Sequence, residues 1–214
     1  MTLHQLESRL LLQGEHCYLD PSDECYFADE YVSCDREGLR AQILSLKRGR
    51  KAATRSLAEQ LGAVLPDAWT RICTFVPMPS SAGNANPVRS MLIQLPAGRD
   101  IRELLLQTLD TPSSHTGWRP SPAERAQFLC VNERIADPRP AMVVIVDDVL
   151  ATGSHFRAAK MVIRNRWSEM RVVGLFLARV CWHQRMCHNP HFPMGVSCPC
   201  NSSRPRTLIA RGWA

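Results

Sequence analysis

Two adjacent carboxylates, Asp147 and Asp148, stand just ahead of Ala151, Thr152, Gly153, Ser154 and His155, and together these residues suit the binding of a sugar phosphate. Neighbouring carboxylates repel each other and push a pKa upward, a cost that ribose hydroxyls or a divalent cation would relieve. Thr152 and Ser154 bring hydroxyl donors. Gly153 lets the backbone approach a phosphate closely and take a left-handed conformation if the turn requires one. A helix starting at Ser154 would add unpaired N–H groups and the positive end of its dipole, so a phosphate monoester fits.

These residues need a strand in front of them and a helix behind. Residues 142–146 form a continuous apolar run, the pattern of a strand covered on both faces as in parallel sheets. Residues 154–166 have amphipathic helical spacing and residues 172–178 are a second apolar run, which predicts strand, turn, helix, strand. Ligands of open α/β sheets collect at the carboxyl edge of the strands, where the acid pair falls. Upstream, the β-branched and aromatic run 71–78 predicts a buried strand that stops at Pro77 and Pro79, and residues 80–90 read as a polar turn-rich loop. Asp100 as N-cap, with Ile101, Leu104 and Leu105 behind it, predicts a helix over 100–109. Prolines punctuate residues 110–140, where the expectation is mostly loop, a short strand near 128–131 and room for a flap.

The run from Val143 to Ser154, with its four apolar residues, two acids, two apolar residues and Ala-Thr-Gly-Ser, resembles the motif of type I phosphoribosyltransferases. His155 stands where the family often has threonine. Phe75-Val76-Pro77-Met78-Pro79-Ser80-Ser81 is similar to the pyrophosphate loop of ComF-like members, and Ile43-Leu44-Ser45-Leu46-Lys47-Arg48-Gly49 to their upstream Ile-x-x-Leu-Lys stretch. Residues 153–160 and 174–179 look like a branch of phosphoribosyltransferase-like proteins, some of which accompany bacterial anti-phage cassettes including reverse-transcriptase retrons.

The resemblance implies an α/β protein of the type I phosphoribosyltransferase fold, with a central mostly parallel sheet flanked by helices. Residues 71–180 would be the core, and residues 1–70 and 181–214 appendages serving as a hood. It also implies that Asp147 and Asp148 bind the ribose hydroxyls directly or through water on Mg2+. Ala151 to His155 would cradle the 5′-phosphate, and Pro79, Ser80 and Ser81 would face the pyrophosphate with Lys47 and Arg89 as the cations on that side. The expected ligand is phosphoribosyl pyrophosphate or a similar sugar phosphate, with transfer of ribose 5-phosphate to an unidentified acceptor.

A chain of 214 residues with a net charge of +6 favours one domain and anionic partners. Seven cations lie between Arg36 and Arg55 against Glu37 alone, on two short helices expected to break near Gly49. A solvated helix face and a nucleic-acid surface both account for them. That second possibility supports a competing function, a non-catalytic module that senses a phosphorylated ligand and binds nucleic acid or a partner protein, as in a reverse-transcriptase complex. A homodimer is a further expectation. No secretion signal or membrane-length apolar run is visible, so the cytoplasm is the default. Nine cysteines then read as free thiols or metal ligands. In the acid-free tail 181–214, Cys187, His191, Cys198 and Cys200 offer enough soft ligands for zinc, although reduced thiols among scattered histidines fit too. Cys17, Cys25 and Cys34 are a looser zinc set, and Cys73 and Cys130 sit in apolar runs that suit a core.

Overall fold

A computed structural model describes residues 1–7, 16–31, 38–80, 86–96, 98–108 and 120–180. The elements in chain order are β1 (His4–Gln5), β2 (Cys25–Tyr31), α1 (Leu39–Lys47), α2 (Lys51–Gly62), α3 (Asp67–Ile72), β3 (Cys73–Pro77), α4 (Pro87–Leu92), β4 (Asp100–Ile101) and β5 (Leu105–Gln107). They continue with α5 (Pro122–Ala126), β6 (Leu129–Val131), a 3-10 turn (Glu133–Ile135), β7 (Met142–Leu150), α6 (Ser154–Arg166) and β8 (Val172–Val180).

Six strands form one sheet in the order β1-β2-β8-β7-β3-β4, parallel throughout except for the short edge strand β1. The expectation of an α/β protein with a mostly parallel sheet flanked by helices is met. Its cause is visible along β7, where alternate residues point to opposite faces. Val144 and Val146 join Ile43, Leu46, Leu57, Leu61, Met91 and Leu92 from α1, α2 and α4 in one core. Val143 and Ile145 join Phe156, Ala159 and Ile163 of α6 in the other. A run apolar on both sides is what such double cover demands.

The segment 25–31, upstream of the expected core, belongs to this sheet: β2 pairs in parallel register with β8, Cys25 opposite Gly174 and Tyr31 opposite Val180. The two cationic helices break where expected, at Gly49, which turns at a φ of +69°. Residues 71 and 72 end α3, so β3 starts at Cys73. The loop expected over 80–90 gives way to α4, because Asn86 and Pro87 are an N-cap and first helical residue. The Asn86 carboxamide accepts from the Val88 and Arg89 amides and donates to the Met78 carbonyl at 2.7 Å, which closes the mouth of the loop after β3.

The helix expected over 100–109 is not formed. Asp100 instead takes the Thr74 hydroxyl and the Arg102 guanidinium, and Arg102 also holds the Pro138 carbonyl at 2.7 Å. Leu104 and Leu105 are buried from extended backbone, and β5 pairs antiparallel with β6, the short strand expected near 128–131. Three apolar positions at helical spacing were served equally well by strand and turn. The tail residues Cys187, His191, Cys198 and Cys200 lie outside the described residues, as do Cys34 and much of the expected flap. Cys25 is buried in the sheet, and desolvation together with the nearby Asp23 pushes its thiol far up, which argues against its serving as a zinc thiolate. Cys73 is buried as expected, its thiol raised to about 12 by desolvation, while Cys130 is only partly covered. No helix among the described residues is long and apolar enough to cross a membrane.

Candidate functional site

β7 runs past its apolar part and carries both acids to its carboxyl end, Asp147 opposite Phe176 of β8. On its other side lies β3, and the Met78 amide extends that pairing by donating to the Val146 carbonyl at 2.8 Å. Pro79 and Ser80 therefore leave β3 beside the acid pair, while Ser81 lies outside the described residues. The helix after β3 packs in one core and the helix after β7 in the other. The crevice between these two strand ends is thus a switch point, the place where open α/β sheets bind ligands.

Strand alternation sends the two carboxylates to different sides. Asp148 Oδ2 meets Lys47 Nζ at 2.7 Å, from the last turn of α1, and Asp147 Oδ2 lies 3.4 Å from His155 Nδ1 at the start of α6. Burial and repulsion by Asp147 raise the Asp148 carboxyl, and Lys47 offsets part of that. Burial works against the Lys47 ammonium, but Asp148 and Asp147 outweigh it and hold its pKa above the usual value. Lys47 is half exposed, so its charge remains available to a ligand at this edge.

Residues 151–153 turn into α6, with Gly153 at a φ of +84°. A strap from the N-terminal segment covers this turn. The Tyr18 amide donates to the Thr152 carbonyl at 3.0 Å, His16 Nδ1 meets the Ala151 carbonyl, and Leu19 lies directly on Gly153. A Cβ at Gly153 would come within 2.5 Å of Leu19 carbons. Gly153→Ala should therefore lower stability by about 2 kcal/mol, from left-handed strain and overpacking together. A urea titration reads that loss, and a wild-type midpoint would overturn this account of the turn.

Ser154 is buried, and its hydroxyl accepts from Arg125 Nε at 3.0 Å and from the Thr152 hydroxyl at 3.3 Å. Arg125 is the site residue that sequence reasoning missed. It rides on α5, which opens with a capping box of Ser121 and Glu124, and the spacing Ser-Pro-Ala-Glu was a signal that could have placed a helix there. Of the other expected residues, Arg89 pairs with Glu103 at 2.9 Å and not with the acid pair. Lys47, Asp147, Asp148 and the turn 151–155 do come together at one sheet edge. Among the described residues no group of three or more His, Cys, Asp or Glu side chains gathers to hold a metal, so a cation here would have only the acid pair from the protein. A separate cavity of about 580 Å3 opens between α5, β6 and α6 against Leu129, Cys130 and Met161, on the far part of α6 from the turn. No protein-family model matches the chain, and no curated protein matches it.

Proposed function

We propose that the chain has the type I phosphoribosyltransferase fold and binds phosphoribosyl pyrophosphate with Mg2+, transferring ribose 5-phosphate to an acceptor with release of pyrophosphate. The observation that carries the reading is the convergence of the acid pair, the left-handed Gly153 turn and the start of α6 on the crevice beside β3. Fold alone would not imply chemistry. Two carboxylates with little else suit Mg2+, which keeps waters and is held by one or two carboxylates plus substrate phosphates. When bound, the cation supplies charge neutralisation on the pyrophosphate oxygens.

The chain's own residues divide the remaining work. The turn 151–155 holds the 5′-phosphate through backbone N–H groups at the positive end of α6. Asp147 and Asp148 accept from the ribose hydroxyls and favour positive charge on the sugar as the C1–O bond to pyrophosphate breaks. The bonding electrons leave with pyrophosphate, the acceptor's lone pair forms the new bond at C1, and the acceptor loses a proton. Lys47, beside Asp148, faces the side on which negative charge develops.

Calorimetry with phosphoribosyl pyrophosphate, with and without Mg2+, tests the reading, and no binding in either condition would sink it. The pH dependence has a defined sign. Because the folded-state pKa of Asp148 is raised above 3.8, the ionised carboxylate costs the fold a little. That cost is absent below 3.8, the unfolded value, and fully present above the raised one. Mg2+-dependent binding needs the ionised form, so affinity should weaken as pH falls through a window lying above 3.8. A titration of affinity that stays flat down to pH 3.8 would contradict it.

A second reading, the non-catalytic module, is favoured by one observation: Arg48, Arg50, Lys51 and Arg55 are exposed on and after the turn next to Lys47. Binding to nucleic acid that falls steeply with salt, without pyrophosphate release, would select it.

A further inference from the structure

The start of α6 carries an electrostatic oddity. A helix N-terminus favours negative charge, yet the first turn of α6 has no acidic residue and Gly153 offers no side-chain cap. The cations nearby are Arg125, His155, Arg157 and Lys160. Arg157 and Lys160 are both taken by the carboxylate of Asp23, at 3.0 and 2.5 Å. His155 leans on Asp147. Arg125 crosses from α5 to place its guanidinium 3.0 Å from the hydroxyl of Ser154, the first residue of the helix. Burial lowers its pKa, with the charge of Asp147 opposing that shift, so the group is partly desolvated and lies within reach of the acid pair's field. A desolvated guanidinium held against the positive end of a helix is unfavourable unless an anion sits between them.

Two features show that this placement is built. The capping box fixes α5, with the Ser121 amide 2.7 Å from the Glu124 carboxylate, and α5 packs on α6. The residue is an arginine, whose planar fork can hold one phosphate with two parallel hydrogen bonds.

We infer that Arg125 is the specificity-determining residue for the phosphate end of the site, selecting sugars that carry a terminal phosphate dianion. The inference rests on the phosphoribosyl reading of the same site. It adds a ligand from outside the turn: Arg125 grips the 5′-phosphate from the α5 side while the N–H groups of α6 hold it from the other. Pyrophosphate, bound toward β3 and Lys47, lies beyond its reach.

Three probes separate the possibilities: ribose 5-phosphate, Mg2+ with pyrophosphate, and phosphoribosyl pyrophosphate, each titrated into the full chain and into Arg125→Gln and Arg125→Lys. Arg125→Gln should weaken ribose 5-phosphate and phosphoribosyl pyrophosphate by about 10- to 100-fold, the weight of a charge-assisted hydrogen bond, and leave pyrophosphate unchanged. Arg125→Lys, which keeps the charge and most of the packing, should recover part of the loss. Far-ultraviolet circular dichroism checks that each variant is folded. Undiminished ribose 5-phosphate binding in a folded Arg125→Gln, or equal weakening of pyrophosphate, would overturn the assignment while the parent reading stands. Wild-type protein that binds none of the three removes both.

Discussion

Asp147→Asn combined with Asp148→Asn should reduce Mg2+-dependent binding of phosphoribosyl pyrophosphate by about 100-fold or more, equivalent to about 2.7 kcal/mol. Each carboxylate is assigned hydrogen bonds to the sugar or to a hydrated cation, and bonds to charged groups are worth about 1.5 to 3 kcal/mol apiece. The fold should survive. Asparagine keeps the volume, removes the repulsion between the acids, and frees a lysine that is already half in water. An exposed ion pair of this kind contributes about 1 kcal/mol at most. Calorimetry and a thermal melt on the same sample separate the two effects. Binding that persists at wild-type strength in a folded double variant would dismiss the acid pair as the ligand grip.

Loss of Asp23 should do the opposite, striking stability hard through a residue that touches no proposed ligand. Its side chain is wholly buried, and it is shared by Lys160, itself 8% exposed, and Arg157. It also accepts from the Asp20 amide at 2.8 Å, so it ties the strap at 16–23 to α6. Asp23→Ala strands the Lys160 ammonium in the interior without a counter-charge, at a cost of about 3 to 5 kcal/mol. For a domain of this size that lowers Tm by about 10 °C. Replacing both partners, Asp23→Leu with Lys160→Met, should recover much of the loss, since an apolar pair of similar volume is often as stable as a buried ion pair. Scanning calorimetry decides the matter, and a loss under about 1 kcal/mol for Asp23→Ala would show that Lys160 finds water or another partner.

What could be read in advance follows from how local the signal is. β7 and α6 were legible because a doubly covered strand must be apolar at every position and a half-buried helix must be apolar at every third or fourth. The acid pair and Gly153 were legible because their roles are set by neighbours in sequence. Lys47 was suggested by resemblance, and its 2.7 Å contact with Asp148 depends on where α1 ends relative to β7, which no local pattern encodes. The strand β2 was missed for a related reason: Cys25–Tyr31 contains Asp29 and Glu30, and only the partner strand β8, with Arg179 at 2.6 Å from Glu30, makes those acids tolerable. The misjudged helix at 100–109 shows the same limit, since Asp100 as N-cap and Asp100 as partner of Thr74 and Arg102 look alike until β3 is beside it.

The insertion of β2 against β8 also has a consequence for biosynthesis. The partners that complete the phosphate turn and its flanking strand are separated by most of the chain: Tyr18 waits for Thr152, and Cys25 for Gly174. As the polypeptide leaves the ribosome, its first thirty or so residues have nowhere to dock until the last described strand has emerged, and such distant pairings are slow to form. A shortened version starting at residue 71 would keep every residue of the acid motif and still lack the wall that holds it in shape.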